Sequence, residues 1–147
     1  MAGLECFVNS ETQALAADTQ ETVLQIKAAS NHRVKVKGYS ITMGGIVVKD
    51  LIVKVLTQTD AGTPGTTLTP AKWTVGAAET IQTTAYTNFS AEPASGTTLQ
   101  YKRLQSSYEK IFPLGQELIL AGGGYLGIAV TSVGDSSDLA AEIIFEE

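Results

Sequence analysis

Residues Phe112 to Phe145 read FPLGQELILAGGGYLGIAVTSVGDSSDLAAEIIF, and this stretch decides the fold class. Three strand-like runs lie in it: Glu117–Ala121, Tyr125–Ser132 and Leu139–Glu146. In the second, Leu126, Ile128 and Val130 share one face while Gly127, Ala129 and Thr131 share the other. In the third, Leu139, Ala141, Ile143 and Phe145 oppose Glu142 and Glu146. Period-2 alternation of this kind predicts half-buried antiparallel strands. Gly122-Gly123-Gly124 predicts a hairpin turn between the first two, because glycine accepts positive φ without a Cβ clash.

Working outward, the same alternation recurs upstream. Glu21–Ala28 places Leu24, Ile26 and Ala28 on one face. His32–Met43 places Val34 and Val36 inward and Arg33, Lys35 and Lys37 outward. Its phase then shifts to Tyr39, Ile41 and Met43, which predicts a β-bulge at Gly38. After a turn at Gly44-Gly45, Asp50–Gln58 sets Leu51, Val53 and Val55 against Lys54 and Gln58. Thr59–Thr67 reads as loop from its glycines and proline. Thr80–Phe89 and Thr98–Gln105 read as further strands, Leu68–Thr74 as an edge or a strand start because of Pro70, and Tyr108–Leu114 as apolar but broken by Pro113, with Ser90–Gly96 a surface loop.

Eight or nine strands at roughly ten-residue spacing, with no usable helical period, predict an all-β antiparallel sandwich or barrel. No repeat of fixed period points to a propeller or solenoid. Residues 21–147 read as a single β-sandwich domain. Residues 1–20 are less committed. Leu4, Cys6 and Val8 alternate weakly, and the stretch reads as an N-terminal arm or an edge strand. A helix at Ala14–Ala17 is the competing reading there, too short to stand alone.

The 147 residues are 44% hydrophobic and 17% charged. A chain of this length buries roughly 70% of its unfolded surface, enough for a core without cross-links. The single cysteine, Cys6, excludes an internal disulfide framework and a cysteine zinc site; a small buried hydrophobe is its expected role. No stretch reaches the roughly 18 apolar residues of a membrane span, so no membrane partner is expected. The N-terminus lacks a basic region and a long apolar one, so no signal peptide is expected. Without secretion, the sequon Asn88-Phe89-Ser90 reads as a chance match. A net charge of −5 disfavours nucleic-acid binding.

The candidate motifs give no catalytic site and no cofactor. Gly122–Gly127 spells G-x-G-x-x-G, but strands flank it, so no helix N-terminus is available for a pyrophosphate. His32, the only histidine, sits in a turn beside Asn31 and Arg33, and a surface or partner-facing role is the expected one. Asp135 and Asp138 read as an acidic turn, since a calcium loop needs more ligands.

Charge is distributed unevenly. From Lys27 to Lys54, six basic residues face one acid, net +5, so the remainder of the chain carries −10. Arg33, Lys35 and Lys37 form a stripe on one strand face, with Lys49 beyond it. The stripe reads either as a solvated face that discourages edge aggregation or as a basic patch that docks on an acidic protein surface. The N-terminal stretch has a few apolar residues in its first eight positions, Leu4, Cys6, Phe7 and Val8. As an arm, Leu4–Ser10 is expected to add a strand to a neighbouring subunit.

Four runs, QIKAASNHRVKVKGYSI (Gln25–Ile41), LTQTDAGTPGTTLTPAK (Leu56–Lys72), FPLGQELILAGGGYLGIAV (Phe112–Val130) and IIFEE (Ile143–Glu147), resemble a group of tailed-bacteriophage virion proteins. These are small jelly-roll proteins of the capsid decoration, auxiliary or cement type. The resemblance covers most of the chain from Glu21 onward. It implies a jelly roll that sits on the phage head after synthesis in the host cytoplasm. It also implies a homotrimer that clamps and stabilises the major capsid protein, with no catalytic residues. The competing expectation is a carbohydrate- or receptor-binding jelly roll of a tail or fibre. In that case Trp73, Tyr86, Tyr101 and Tyr125 offer stacking faces, clustered at one loop end. A decoration protein instead presents a broad subunit interface.

Overall fold

The computed structural model describes residues 3–44 and 49–147, and among these the alternating runs are strands with no helix. The chain passes through β1 (Glu5–Asn9), β2 (Gln13–Leu15), β3 (Gln20–Lys27), β4 (Val34–Met43) and β5 (Asp50–Gln58). A group of three follows: β6 (Thr63–Leu68), β7 (Ala71–Lys72) and β8 (Thr84–Ala91). Then come β9 (Ser95–Leu104), β10 (Tyr108–Ile111), β11 (Leu118–Leu120), β12 (Tyr125–Val133) and β13 (Ser137–Glu146). The expected turn at Gly44-Gly45 falls partly outside the described residues.

Two antiparallel sheets pack as a sandwich. The first has the order β10-β4-β13-β1-β7, with β11 also on β4 and β2 also on β13; the second has the order β6-β8-β3-β12-β5-β9. The pairing is nested. β1 lies on β13, β3 on β12, β4 on β10 and β11, and β5 on β9. One long hairpin folded back over two sheets produces this nesting, which is the jelly roll. The β6–β8 group is an insertion at the hairpin's tip, between β5 and β9.

Inward residues of both sheets meet in one core. Leu24, Ile26, Val53, Ile128 and Val130 come from one side, and Val34, Val36, Tyr39, Ile41, Ile143 and Phe145 from the other, all at most 2% exposed. Tyr39 is ringed by Tyr108 and Phe112, at centroid distances of 6.1 and 6.2 Å. The bulge expected at Gly38 is present. Ile144 pairs with Gly38 and Phe145 with Val36, so Lys37 has no residue opposite.

Five expectations need correction. Glu5–Asn9 is not an arm but a strand between β13 and β7, with Cys6 opposite Phe145 and Val8 opposite Ile143. Cys6 and Val8 lie in the chain's own core, and that burial holds the segment in place. Ala14–Ala17 is not helical, since Gln13–Leu15 pairs with β13 and buries Leu15. Thr63–Leu68 is a strand rather than a loop, paired with β8 from Ala91 to Ala85. Its proline is tolerated because β6 is the sheet's edge.

Gly122–Gly124 is a turn but not a hairpin, because β11 belongs to one sheet and β12 to the other. It carries the chain across the sandwich. Gly123 has φ +77°, and its amide points to the Ala28 and Ala29 carbonyls at 3.1 and 3.2 Å.

The outer face of β12 is also not solvated: Ala129 is 1% exposed and Gly127 is buried. The side chains of Gln25 and Gln58 cover it. Gln25 Nε2 donates to Gln58 Oε1 at 2.7 Å and to the Asp60 carbonyl at 2.9 Å, and Gln58 Nε2 donates to Thr22 Oγ1 at 3.0 Å.

Candidate functional site

The basic stripe lies on the outer face of the first sheet, where the register sets acids against it. Across β4, β13 and β1, Lys35 stands opposite Glu146, and Glu146 opposite Glu5. Lys35 Nζ is 3.5 Å from Glu146, Lys37 Nζ is 2.8 Å from Glu146, and Lys37 also contacts Glu5. The hydrogen bond from Lys37 is the main cause that holds the Glu146 carboxyl below its ordinary range. Glu146 and then Glu5 in turn raise the Lys37 ammonium. Two lysines therefore face two carboxylates, and the positive surplus expected from β4 alone is offset by strands distant in sequence. Arg33 is exposed just before β4. Lys49 is not part of this group; it stands 3.5 Å from Asp135.

Of the N-terminal candidates, Cys6 and Val8 are buried and Leu4 packs on the core, so the three are held inside the chain's own fold. Burial raises the Cys6 thiol to about 11, with Glu147 adding to the shift and Lys72 opposing it. Phe7 points the other way, onto the outer face, and meets Trp73 edge-on at 5.5 Å.

The remaining polar candidates serve the fold. The Glu147 carboxylate accepts hydrogen bonds from the Gln82 amide and from the Thr83 amide and hydroxyl at 2.6–2.9 Å. It closes a cleft also lined by Glu5, His32 and Glu79. His32 Nδ1 sits 3.1 Å from Asn31 Oδ1. Asp135 closes the β12–β13 turn, its carbonyl accepting from Ser132 Oγ at 2.6 Å. Among the described residues, no three His, Cys, Asp or Glu side chains are gathered to hold a metal ion.

What the surface does present is apolar. Trp73, Val75, Leu99, Tyr101, Ile111, Leu114 and Ile119 are large hydrophobics exposed by 38–94%. The connections place them on two opposite sides of the sandwich. Two residues join β6 to β7, so those edges lie together, with Trp73 and Val75 just beyond. Three residues join β9 to β10, so those edges lie together too, with Leu99, Tyr101, Ile111, Leu114 and Ile119.

The exposed aromatics are thus separated, Trp73 on one side and Tyr101 on the other. Tyr86 and Tyr125 are half-buried, Tyr125 under the Lys27 ammonium at 5.3 Å. The sequence reading named Trp73 and Tyr101 but missed the exposed aliphatic residues Val75, Leu99, Ile111, Leu114 and Ile119. The signal was in the sequence at Pro113-Leu114-Gly115, because a leucine held between turn residues has no strand face to hide in.

Fold and surface together define a jelly-roll sandwich with exposed apolar residues on opposing sides. No protein-family model, curated protein or solved structure matches the chain.

Proposed function

We propose that this jelly roll is a structural virion protein that binds the outside of an assembled phage head and stabilises it. The observation that carries the reading is the placement of exposed apolar side chains on two opposite sides of the sandwich. Contact surface on both sides suits a small protein lodged between neighbours. A sugar-binding module gathers its stacking aromatics at one site, and Trp73 and Tyr101 are apart. The likeness of the sequence to capsid decoration proteins points the same way.

The mechanism is linkage. A protein that binds the assembled shell and not its free subunits stabilises the shell by RT ln(1 + [L]/Kd). Exposed apolar area contributes about 25 cal/mol per Å² removed from water.

The test is cosedimentation of purified protein with assembled heads and, separately, with dissociated capsid subunits of the virus that carries it. Binding to heads alone, with a higher temperature of head disruption, is expected. Failure to cosediment with heads refutes the proposal.

A further inference from the structure

The register sets three cross-strand rows on the outer face of the first sheet. The first runs Ile119, Lys35, Glu146, Glu5. The second runs Ile111, Gly38, Ile144, Phe7, and the third Glu109, Ser40, Glu142, Asn9. The middle row is apolar from end to end. Gly38 has no side chain, and Ile111 Cδ1 lies across it, 2.8 Å from where an added Cβ would stand. At the other end Phe7 carries the row on to Trp73, whose ring meets it edge-on at 5.5 Å. Ile111 and Trp73 are 53% and 62% exposed, and Ile144 and Phe7 between them are half-buried. Strands stand about 4.8 Å apart, so Ile111 to Phe7 spans about 15 Å. One apolar stripe thus crosses the face and links the two sides of the sandwich.

The flanks of the stripe differ in charge. On one side Lys35 and Lys37 face Glu146 and Glu5, two cations against two anions. Arg33 lies on the far side of that row, away from the stripe. On the other side Glu109 and Glu142 stand across Ser40 from each other, and among the described residues neither enters an ion pair. The charge left over beside the stripe is therefore negative, opposite to the sign expected from β4 alone. A face of this kind is complementary to an apolar segment with cations along one edge.

We infer that this face is where the shell holds the protein, and that the shell presents there an apolar segment bordered on one side by lysine or arginine side chains. The inference rests on the head-binding reading and adds to it the face and the chemistry of the partner. Apolar burial supplies affinity, and the carboxylate flank fixes which way round the segment lies.

Cosedimentation with assembled heads at rising salt tests it. The samples are wild type, Glu109→Gln with Glu142→Gln, Ile111→Ser, Trp73→Ser, and Lys35→Gln with Lys37→Gln, each checked for its fold by circular dichroism. Wild-type binding should weaken as salt rises. The carboxylate variant should bind about fivefold or more weakly in low salt, with a flatter salt dependence. Ile111→Ser and Trp73→Ser should each weaken binding about tenfold or more at every salt; they sit at opposite ends of the row, so one folded variant suffices. The lysine variant uncovers Glu5 and Glu146 and should bind at least as tightly as wild type.

Unchanged binding by the carboxylate variant, or by a folded Ile111→Ser and Trp73→Ser, overturns the inference. So does loss of binding in the lysine variant alone, which would return the contact to the basic stripe. So does wild type that binds heads but pairs in solution through Ile111, which would put a second copy on the stripe. In these three results wild type still binds heads and the proposed function stands. Wild type that fails to bind heads overturns both.

Discussion

Glu146 stands opposite Lys35 in the β4–β13 register, yet its carboxylate holds the Lys37 ammonium more closely, at 2.8 Å against 3.5 Å. The bulge accounts for this. Lys37 is the extra residue with no partner across the ladder, so its side chain leans along the strand toward both Glu146 and Glu5.

The pair sets a pH signature. Folding lowers the Glu146 pKa, so its contribution is present above the unfolded value and lost as pH falls through the folded one. Folding raises the Lys37 pKa, so that contribution is present below the unfolded value and lost as pH rises through the folded one. Both side chains are partly exposed, at 21% and 27%, so solvent screens them. Glu146→Gln should cost under about 1 kcal/mol at neutral pH. Urea unfolding of wild type and variant should converge towards about pH 2, where the carboxylate is protonated. A gap that persists unchanged in acid would refute the assignment.

Cys6 should be inert in the folded protein. Its side chain is fully buried opposite Phe145, and its thiol is raised to about 11, so at neutral pH it carries no thiolate to react. Reaction with a thiol reagent should follow global unfolding, slow in buffer and immediate in denaturant. Rapid labelling in native buffer would mean that β1 detaches from the sheet.

Removing residues 1–10 should abolish the fold. The deletion takes β1 out of its place between β13 and β7 and uncovers Phe145 and Ile143. It also removes Ser10, whose hydroxyl accepts the Ala141 amide at 2.9 Å in a buried site. Circular dichroism and thermal melting of the truncated chain read this directly. A truncated protein that melts near the wild-type temperature would restore the arm.

The parts legible in the sequence are those whose pattern is local. Asp50–Gln58 reads as a strand to the residue because every second position is apolar. The bulge at Gly38 reads from the change of parity between Val36 and Tyr39. Thr63–Leu68 does not read, because its threonines, glycine and Pro64 have loop composition, and only pairing with β8 makes it extended. Gly122–Gly124 reads as a turn, but which strands flank it as partners is set by the sandwich. The same limit applies to the site. Lys35 and Lys37 are visible as a stripe, whereas Glu5 and Glu146 come beside them only through the nested pairing of first strand, last strand and β4.

The last prediction concerns Gly127. The position lies in the middle of β12, under Gln58, and the Oε1 atom of Gln58 occupies the place an added Cβ would take. Gln58 cannot withdraw freely. Its Oε1 accepts from Gln25 and its Nε2 donates to Thr22, all three being at most 6% exposed. Gly127→Ala must then push the carboxamide aside and break one or both bonds, at a cost of about 1–3 kcal/mol. Gln58→Ala alone removes the obstruction but leaves Thr22 without its donor, while Gln25 keeps the Asp60 carbonyl. Combining the two changes should therefore cost less than their sum, by about 1 kcal/mol or more, since an alanine methyl at Gly127 enters space the glutamine has vacated. A double-mutant cycle by urea denaturation measures the coupling. Strict additivity would show that Gln58 does not rest on Gly127.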